Sequence, residues 1–380
     1  MDLVSIRKDF PITHDGRIYL DNASLSPYPS PVVAAASRAY EERSRLGVDS
    51  YWPWVEVAEE TRTQCARLIN AEQDEIALVE NTSTGINIVA NSLDWKPGDN
   101  VIVNDLEFFP NLFPWLKQKE KHGIEVRIVQ SQKPDGSQDV TIEDLRAVAD
   151  ERTRAIALSQ VAWINGLKHD LAAVGALARE CGAYLVVDAI QSVGAMELDV
   201  QEGPVDFLSC GGHKWLLGPL GTGFFYCRRE LVERMEPVYV SWHSDTGRYD
   251  YRFRDEYKLD PTAKRFMPAN INMAGIHGLH AATRYLLDIG MAEIGRRNLL
   301  LADRVVDGIS ALGHRFLSPL RREARSHIIS FVPTDLERTM QALADARIAV
   351  STRNGGIRVS PNFYNEEWEV DRLIEVVARC

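Results

Sequence analysis

The sequence predicts an α/β fold with a mostly parallel central sheet and helices on both of its faces. In the middle of the chain, short apolar runs alternate with helical patterns. The apolar runs are continuous rather than alternating, which is typical of parallel strands that are buried on both faces. This pattern breaks near residue 240, and the later residues indicate a smaller α+β domain. We therefore predict a large domain over 15–255 and a small domain formed by 1–14 and 256–380.

The individual elements follow in chain order. The predicted strands of the large domain are 76–79, 101–103, 125–129, 155–160, 184–187, 205–209 and 224–227. The helical patterns between them lie at 85–93, 112–122 and 172–181. Residues 241–272 are aromatic, charged and irregular, which favours a connection or a lid over a flexible linker. The small domain is completed by a long helical pattern from about 275 to 312 and by segments at 328–332, 336–346 and 356–359.

Composition and charge argue against several classes of protein. The formal net charge is −11 and no basic stripe is present, so we expect no nucleic-acid partner. The longest apolar runs fall short of the roughly 18–20 residues that a membrane span requires. The N-terminal residues carry charges where a signal peptide would be apolar, so we expect a cytoplasmic protein.

The cysteine and histidine patterns give no support for a disulfide framework or a metal site. The five cysteines are scattered, and no Cys-x-x-Cys pair occurs. His277 and His280 are spaced to share one helix face, but no third ligand lies nearby in the sequence. We therefore expect no bound metal.

Three polar motifs follow predicted strands, which is where ligands bind in open α/β sheets. Thr82-Ser83-Thr84-Gly85 either caps a helix or binds an anion at its N-terminus. Asp188, with Gln191 after it, either pairs with a protonated ring nitrogen or caps a helix. Lys214 precedes a glycine-rich turn and is either an ordinary surface lysine or a desolvated amine of lowered pKa that attacks a carbonyl.

Four motifs carry a resemblance to a known family. They are Tyr19-Leu-Asp-Asn-Ala23, Asn81-Thr-Ser-Thr-Gly-Ile-Asn87, Val187-Asp-Ala-Ile-Gln191 and Gly211-Gly-His-Lys-Trp215. Together they resemble the class V aminotransferase family of fold-type I pyridoxal-phosphate (PLP) enzymes, which includes cysteine desulfurases, selenocysteine lyases and isopenicillin N epimerase-like proteins. The resemblance covers nearly the whole chain. It implies the cofactor and the fold much more specifically than it implies a reaction.

The resemblance implies a role for each matching residue. Lys214 would hold the cofactor as a Schiff base, and Asp188 would pair with its pyridine nitrogen. The other implied cofactor contacts are Thr82 and Ser83 at the phosphate with His213 beside it, Gln191 at the ring hydroxyl, Phe109 stacked on the ring, and Asn270 reaching the phosphate from a neighbouring subunit of a homodimer. The implied substrate contacts are Arg358 and Arg353 at the carboxylate, and Asp21 and Asn22 near the entrance.

Departures from the family pattern bear on the reaction. Cysteine desulfurases carry a nucleophilic cysteine on a loop shortly before the arginine, whereas Val350–Arg358 is short and holds no cysteine. Cys380, at the end of the chain, is expected to be frayed rather than catalytic. Phe109 stands where desulfurases usually have a histidine, and a phenyl ring cannot move protons. A family asparagine after the strand segment 155–159 is replaced by Gln160.

We therefore expect a PLP-dependent enzyme that acts on an amino acid, as an aminotransferase or as a β-eliminating C–S lyase without a catalytic cysteine. The same core residues would also support an amino-acid epimerase of the isopenicillin N epimerase type. A PLP-fold protein that binds without turnover stays open as well. In each reaction Arg358 would orient the substrate, Asp188 would stabilise the electron-withdrawing ring, and Lys214 would be the base for the Cα proton.

Overall fold

The computed structural model describes residues 1–133 and 136–380. Within these residues, a seven-stranded sheet forms the centre of the molecule. In spatial order its strands are Ile76–Val79, Gly223–Cys227, Phe207–Gly211, Tyr184–Asp188, Thr153–Ser159, Asn100–Asn104 and Glu125–Val129. Every strand predicted for the large domain is present, with slightly shifted ends, and the α/β fold class is confirmed.

The sheet is mostly parallel, with one exception. Gly223–Cys227 runs antiparallel to both of its neighbours, Ile76–Val79 and Phe207–Gly211. The other adjacent strands pair in parallel. The exception arises because only the short turn 212–222 joins Phe207–Gly211 to Gly223–Cys227, and a parallel pair needs a longer crossover.

Helices pack around the sheet and form much of the small domain. The longer helices are Ser30–Leu46, Tyr51–Leu68, Thr82–Ser92, Phe113–His122, Leu171–Cys181, Met273–Ile289, Met291–Ala311, Leu336–Asp345 and Glu367–Val377, and the short ones are Leu3–Lys8, Ile142–Arg146 and Arg229–Val232. The predicted pattern over 275–312 is two helices rather than one, because Gly290 adopts a positive φ of 93° between them. In the part of the chain that the structure describes, no helix is long and apolar enough to cross a membrane.

A second sheet lies in the small domain. Its four strands within the described chain are, in order, Ser351–Arg353, Gly356–Val359, Ile329–Val332 and Arg315–Phe316, and all neighbours are antiparallel. Near the N-terminus, Ile18–Tyr19 pairs in parallel with Ile348–Ala349, and Asp21 bridges to Ser360. This pairing brings residues from the start of the chain beside the strand that carries Arg358.

The packing divides the chain differently from the predicted domains. The larger hydrophobic core contains the sheet interior together with Ile6, Phe10 and Leu279. The smaller core contains Ile18 and Leu20 and otherwise draws on residues between Leu301 and Val377. We therefore propose a domain boundary close to Leu301 in place of residue 256, because the N-terminal segment and the helix Met273–Ile289 contribute buried residues to the larger core.

The irregular segment 241–272 is an ordered connection. It contains 3-10 turns at Trp242–Ser244 and Ala263–Phe266, and Asp245 bridges to Leu259. Movement of this segment as a lid stays a prediction.

Candidate active site

The candidate site lies at the carboxyl ends of the central strands. Ser159, Asp188 and Ser209 stand side by side in register on three neighbouring strands. The carboxylate of Asp188 is 2% exposed and accepts a hydrogen bond from the Ile190 N–H at 3.0 Å. Burial raises the pKa of Asp188 to about 6, although this hydrogen bond and the charge of Lys214 act in the opposite direction. A carboxylate held in this way is a suitable partner for a cationic ring nitrogen.

The helix Thr82–Ser92 points its N-terminus at the same place. Asn81 caps the helix by accepting a hydrogen bond from the Thr84 N–H at 3.0 Å. The Thr82 hydroxyl accepts from the Gly211 N–H at 2.9 Å, which ties the helix start to a central strand. Gly85 permits this close approach, because a Cβ there would lie 2.2 Å from the Ser209 hydroxyl oxygen. The free N–H groups and dipole of this terminus favour an anion.

Lys214 follows the strand Phe207–Gly211 and reaches into the site. Burial lowers the pKa of Lys214 to about 8, against the opposing attraction of Asp188. Its amine donates no hydrogen bond to any described residue. Burial and the charge of Lys214 lower the pKa of His213 to about 4, so His213 is neutral at pH 7. A lysine of this kind is a competent nucleophile near neutral pH.

Arg358 is an almost fully buried guanidinium that is fixed by several partners. It is 1% exposed, donates to the Trp163 carbonyl oxygen at 2.5 Å and donates to the Ser24 hydroxyl at 2.5 Å. Asp21 forms an ion pair with it at 3.2 Å. Burial lowers the pKa of Arg358 to about 10, so the group stays cationic at pH 7. The planar cation is therefore oriented before any substrate arrives.

Arg353 stands at the end of a tight hairpin beside Arg358. Ser351–Arg353 and Gly356–Val359 are joined by two residues, Asn354 and Gly355, with φ values of 47° and 74°. Positive φ at both turn positions is the signature of a two-residue hairpin turn. The Arg353 guanidinium lies 5.4 Å from the ring centre of Trp163. Within the described residues, the buried Nε of each arginine has no hydrogen-bond partner, so each retains a donor for an anion.

One cavity of about 360 Å³ joins these groups. The predicted site residues that line it are Thr82, Ser83, Asp188, Gln191, His213, Lys214, Arg353 and Arg358. They come from segments that lie far apart in the sequence, and the sheet topology collects them because parallel strands end at one edge. The volume falls within the range of pockets that bind small molecules and cofactors.

Four other predicted residues do not line this cavity, and one of them is Asp21, which pairs with Arg358. Phe109 is 54% exposed and stacks on Phe113, with ring centres 4.9 Å apart. Asn22 is fully buried, where its amide donates to the Ser360 carbonyl oxygen and accepts from the Tyr364 hydroxyl. Asn270 lines a neighbouring cavity that shares Ser83 with the site.

Phe108, the neighbour of Phe109 in the sequence, lies at the cavity where Phe109 was predicted to lie. Phe108 lines the cavity and packs on Trp163, with ring centres 5.0 Å apart. Trp163 lines the same cavity, whereas Gln160 lines a separate one. We propose that Phe108, rather than Phe109, stacks on the cofactor ring. The motif Glu107-Phe-Phe-Pro gave no sequence signal that separates the two phenylalanines.

Glu107 is a buried residue that sequence reasoning missed. Its carboxylate accepts hydrogen bonds from the Asn104 amide at 3.0 Å, the Asn111 amide at 2.9 Å and both donors of Ser159. Burial raises the pKa of Glu107 to about 7. Glu107 therefore connects the loop that carries Phe108 to the end of the strand that carries Ser159.

The donor set of the cavity fits PLP. The lysine amine matches an aldehyde, the buried carboxylate of Asp188 matches a pyridinium nitrogen, and the helix terminus at Thr82 and Ser83 matches a phosphate. The fold and this cavity thus define a fold-type I PLP-dependent enzyme.

Comparison with known proteins agrees with this class. The family model for aminotransferase class-V matches residues 18–373. A probable cysteine desulfurase of Methanothermobacter thermautotrophicus is 31% identical over 396 residues, covering 98% of this chain and 96% of that protein. The chain therefore belongs to the class V aminotransferase family, and its cofactor is PLP.

Two solved structures are similar over nearly their full length. The apo cysteine desulfurase of Thermococcus onnurineus NA1 has a TM-score of 0.88 and 29% identity, covering 99% of this chain and 97% of that one. A cystine C–S lyase, solved with its reaction product cysteine persulfide, has a TM-score of 0.88 and 25% identity, covering 97% of this chain and 99% of that one.

Proposed function

We propose that this enzyme is a C–S lyase that eliminates the β-sulfur substituent of an amino acid and releases the sulfur on a small molecule. The observation that carries the proposal is the hairpin turn Asn354–Gly355. Strand pairing continues to Arg353 and Gly356 on either side of it, so the connection consists of two residues. A loop that carries a nucleophilic cysteine has no place in this connection.

The cysteines of the chain are placed consistently with this proposal. Cys65, Cys210 and Cys227 are buried in the large core, and burial raises the pKa of each thiol. Among the described residues that line the cavity, none is a cysteine. A thiolate to receive the sulfur is thus missing from the described part of the site, and the sulfur acceptor has to be the leaving group itself.

Each charged residue of the cavity has a separate role in the proposed elimination. Arg358 binds the α-carboxylate through its fixed guanidinium, and Arg353 adds positive charge beside it. The coenzyme, when bound, withdraws electrons from Cα, and Asp188 keeps its ring nitrogen cationic. Lys214 then takes the Cα proton, since its pKa of about 8 lies close to neutral pH. The C–S bond breaks with its electron pair on sulfur.

A disulfide amino acid suits this arrangement. For L-cystine, water is consumed and the products are pyruvate, ammonia and cysteine persulfide, so atoms balance and no external oxidant or reductant is needed. The departing persulfide carries both sulfur atoms away from the protein. The similarity to a cystine C–S lyase crystallised with cysteine persulfide supports this choice.

We also propose that the enzyme is a homodimer in the cytoplasm. Asn270 and Ser83 line a cavity of about 580 Å³ that adjoins the phosphate-binding helix, which is a suitable place for a second subunit to approach. All five cysteines lie in the described residues and are free, as expected for a reducing compartment.

An amino-acid panel tests the proposed reaction. The PLP-loaded enzyme is incubated with L-cystine, L-cysteine and L-alanine, with and without an α-keto acid. Pyruvate and persulfide from L-cystine in the absence of keto acid are the expected result, and Lys214→Ala is the inactive control. Amine exchange that requires a keto acid would show that the protein is an aminotransferase instead. Loss of optical rotation alone would show an epimerase. The absence of any turnover would show a binding protein.

A further inference from the structure

The side-chain amide of Gln191 is held by two hydrogen bonds at the floor of the cavity. Its Nε2 donates to the Ala23 carbonyl oxygen at 3.0 Å, and its Oε1 accepts from the Trp215 indole N–H at 2.8 Å. Gln191 is 1% exposed, so bulk water does not compete for these bonds. Gln191 lines the cavity, and Trp215 directly follows the lysine in sequence.

The chemistry of the indole decides which end of the amide faces it. A tryptophan N–H donates and cannot accept, so only the amide oxygen of Gln191 can lie opposite it. The reversed amide would set two donors against each other in a buried place, which is costly. The amide nitrogen therefore points away from Trp215. It carries two N–H groups, and the second has no partner among the described residues.

Trp215 itself has little freedom to turn. It is fully buried in a small cluster that includes Ala23 and Ile328. His327 packs edge-on against the indole with ring centres 4.2 Å apart, and its ring also hydrogen-bonds the Gln191 backbone. Burial lowers the pKa of His327 to about 3, so this ring is neutral and constant across the working pH range. The backbone of Trp215 is also closely packed, since a Cβ at Gly194 would lie 2.3 Å from the Trp215 carbonyl oxygen.

We propose that Trp215 is a positioning residue, which orients Gln191 so that an amide N–H, and not the amide oxygen, faces the phenolic oxygen of bound PLP. A donor at this place stabilises the ionised phenolic oxygen. The protonated form of the cofactor chromophore then loses its proton at a lower pH than it would without the donor. The proposal concerns cofactor binding, so it holds whichever reaction the enzyme catalyses.

The test is a pH titration of cofactor absorbance in the holoenzyme with Trp215→Phe. Loss of one buried hydrogen bond predicts that the titration midpoint rises by about 0.4–1 pH unit. The dissociation constant for PLP is expected to rise about two- to tenfold. Neither measurement requires turnover. Replacing Trp215 with benzothienylalanine, which keeps the ring shape but lacks the N–H, gives the same expected shift without changing the packing.

A double-variant cycle separates positioning from general damage. Gln191→Leu should raise the midpoint by itself, and adding Trp215→Phe to it should produce no further rise. Trp95→Phe is the matched control, because Trp95 donates to the Ala90 carbonyl oxygen at 2.8 Å away from the cavity. Asp188, His213 and Lys214 also titrate in this cavity. They are unchanged in every variant, so their contributions to the titration midpoint cancel when variants are compared. An unchanged midpoint in the benzothienylalanine protein would overturn the proposal, as would equal shifts from Trp215→Phe with and without Gln191.

Discussion

Glu107 accepts two hydrogen bonds from Ser159, one from its backbone N–H at 2.7 Å and one from its hydroxyl at 2.6 Å. Ser159 is the strand neighbour of Asp188 and lines the cavity. The pair therefore joins the aromatic wall of the site, through the loop that follows Glu107, to the strand beside Asp188. Because the same buried carboxylate also accepts hydrogen bonds from Asn104 and Asn111, we expect the shape of the cavity to depend on Glu107.

Glu107→Gln is expected to destabilise the cofactor-free protein by about 1–3 kcal/mol at pH 5, because the new amide group would face existing donors. The folded-state pKa of Glu107 is raised to about 7, so its stabilising protonated form is present at low pH and is lost as pH rises toward 7. The difference in unfolding free energy between wild type and variant should therefore narrow from pH 5 to pH 8. Urea unfolding of both proteins at pH 5 and at pH 8 measures this difference in free energy.

The matched control for that experiment is Glu120→Gln, since Glu120 is an exposed carboxylate paired with Lys117. Its unfolding free energy should follow wild type at both pH values. A difference between wild type and Glu107→Gln that widens toward pH 8 would contradict the raised pKa.

Lys214→Ala should bind PLP without retaining it covalently. Only the amine can form the bond to the aldehyde, so gel filtration should strip the cofactor from the variant, and borohydride treatment should add no mass to it. Wild type should keep the mass of the reduced cofactor on the peptide that contains Lys214. Lys117→Ala, which changes an exposed lysine, should behave as wild type. Stable labelling of Lys214→Ala would show that another amine holds the cofactor.

The rate at which cofactor-free enzyme captures PLP should depend on pH through Lys214. The lysine is nucleophilic only when neutral, and its pKa is lowered to about 8. The second-order rate should therefore rise about tenfold per pH unit below 8 and level off above it, whereas an ordinary lysine would not level off before about pH 10.4. Stopped-flow absorbance follows the reaction. A rate that keeps climbing through pH 10 is the result that this assignment forbids.

Phe108→Ala and Phe109→Ala should have different effects on cofactor affinity. Phe108 lines the cavity, whereas Phe109 is 54% exposed against Phe113. A stacked ring stabilises a bound aromatic group by about 0.5–1.5 kcal/mol, so Phe108→Ala should raise the dissociation constant for PLP roughly two- to tenfold. Phe109→Ala should leave it unchanged. Equilibrium titration of PLP fluorescence quenching measures both, and the reverse ranking would return the stacking role to Phe109.

Arg358→Lys should raise KM for the amino-acid substrate by about 10–100-fold, because a lysine cannot reproduce the planar fork that Asp21 and Ser24 hold in place. Arg353→Ala should raise KM by a smaller factor, about tenfold or below. The Arg353 guanidinium has a single side-chain hydrogen bond, to Ser24, and packs against Trp163. Steady-state kinetics on the substrate found in the panel measures these values. Arg347→Ala, at an exposed arginine paired with Asp15, is the control. If Arg353→Ala and Arg347→Ala changed KM equally, Arg353 would not be a substrate-binding residue.

The amino-acid sequence was enough to predict which segments of the large domain form strands and which reactive side chains follow those strands. Continuous apolar runs predicted buried strands, and Thr82, Asp188 and Lys214 were found because each follows such a run. Parallel strands end at a common edge, so position along the chain was enough to predict that these residues meet. The strand Gly223–Cys227 was predicted, but its antiparallel direction was not, because an apolar run does not record the direction of a strand.

The side chains that enter the cavity from loops could be identified only in the folded protein. In Glu107-Phe-Phe-Pro the two phenylalanines are equivalent in sequence, but in the structure Phe108 lines the cavity whereas Phe109 stacks on Phe113. Arg358 meets Asp21 across a separation of 337 residues, a contact that no local pattern encodes. The physical reason is the same in both cases: strand periodicity fixes the direction of a side chain within a strand, whereas in a loop that direction depends on dihedral angles and on packing between distant segments.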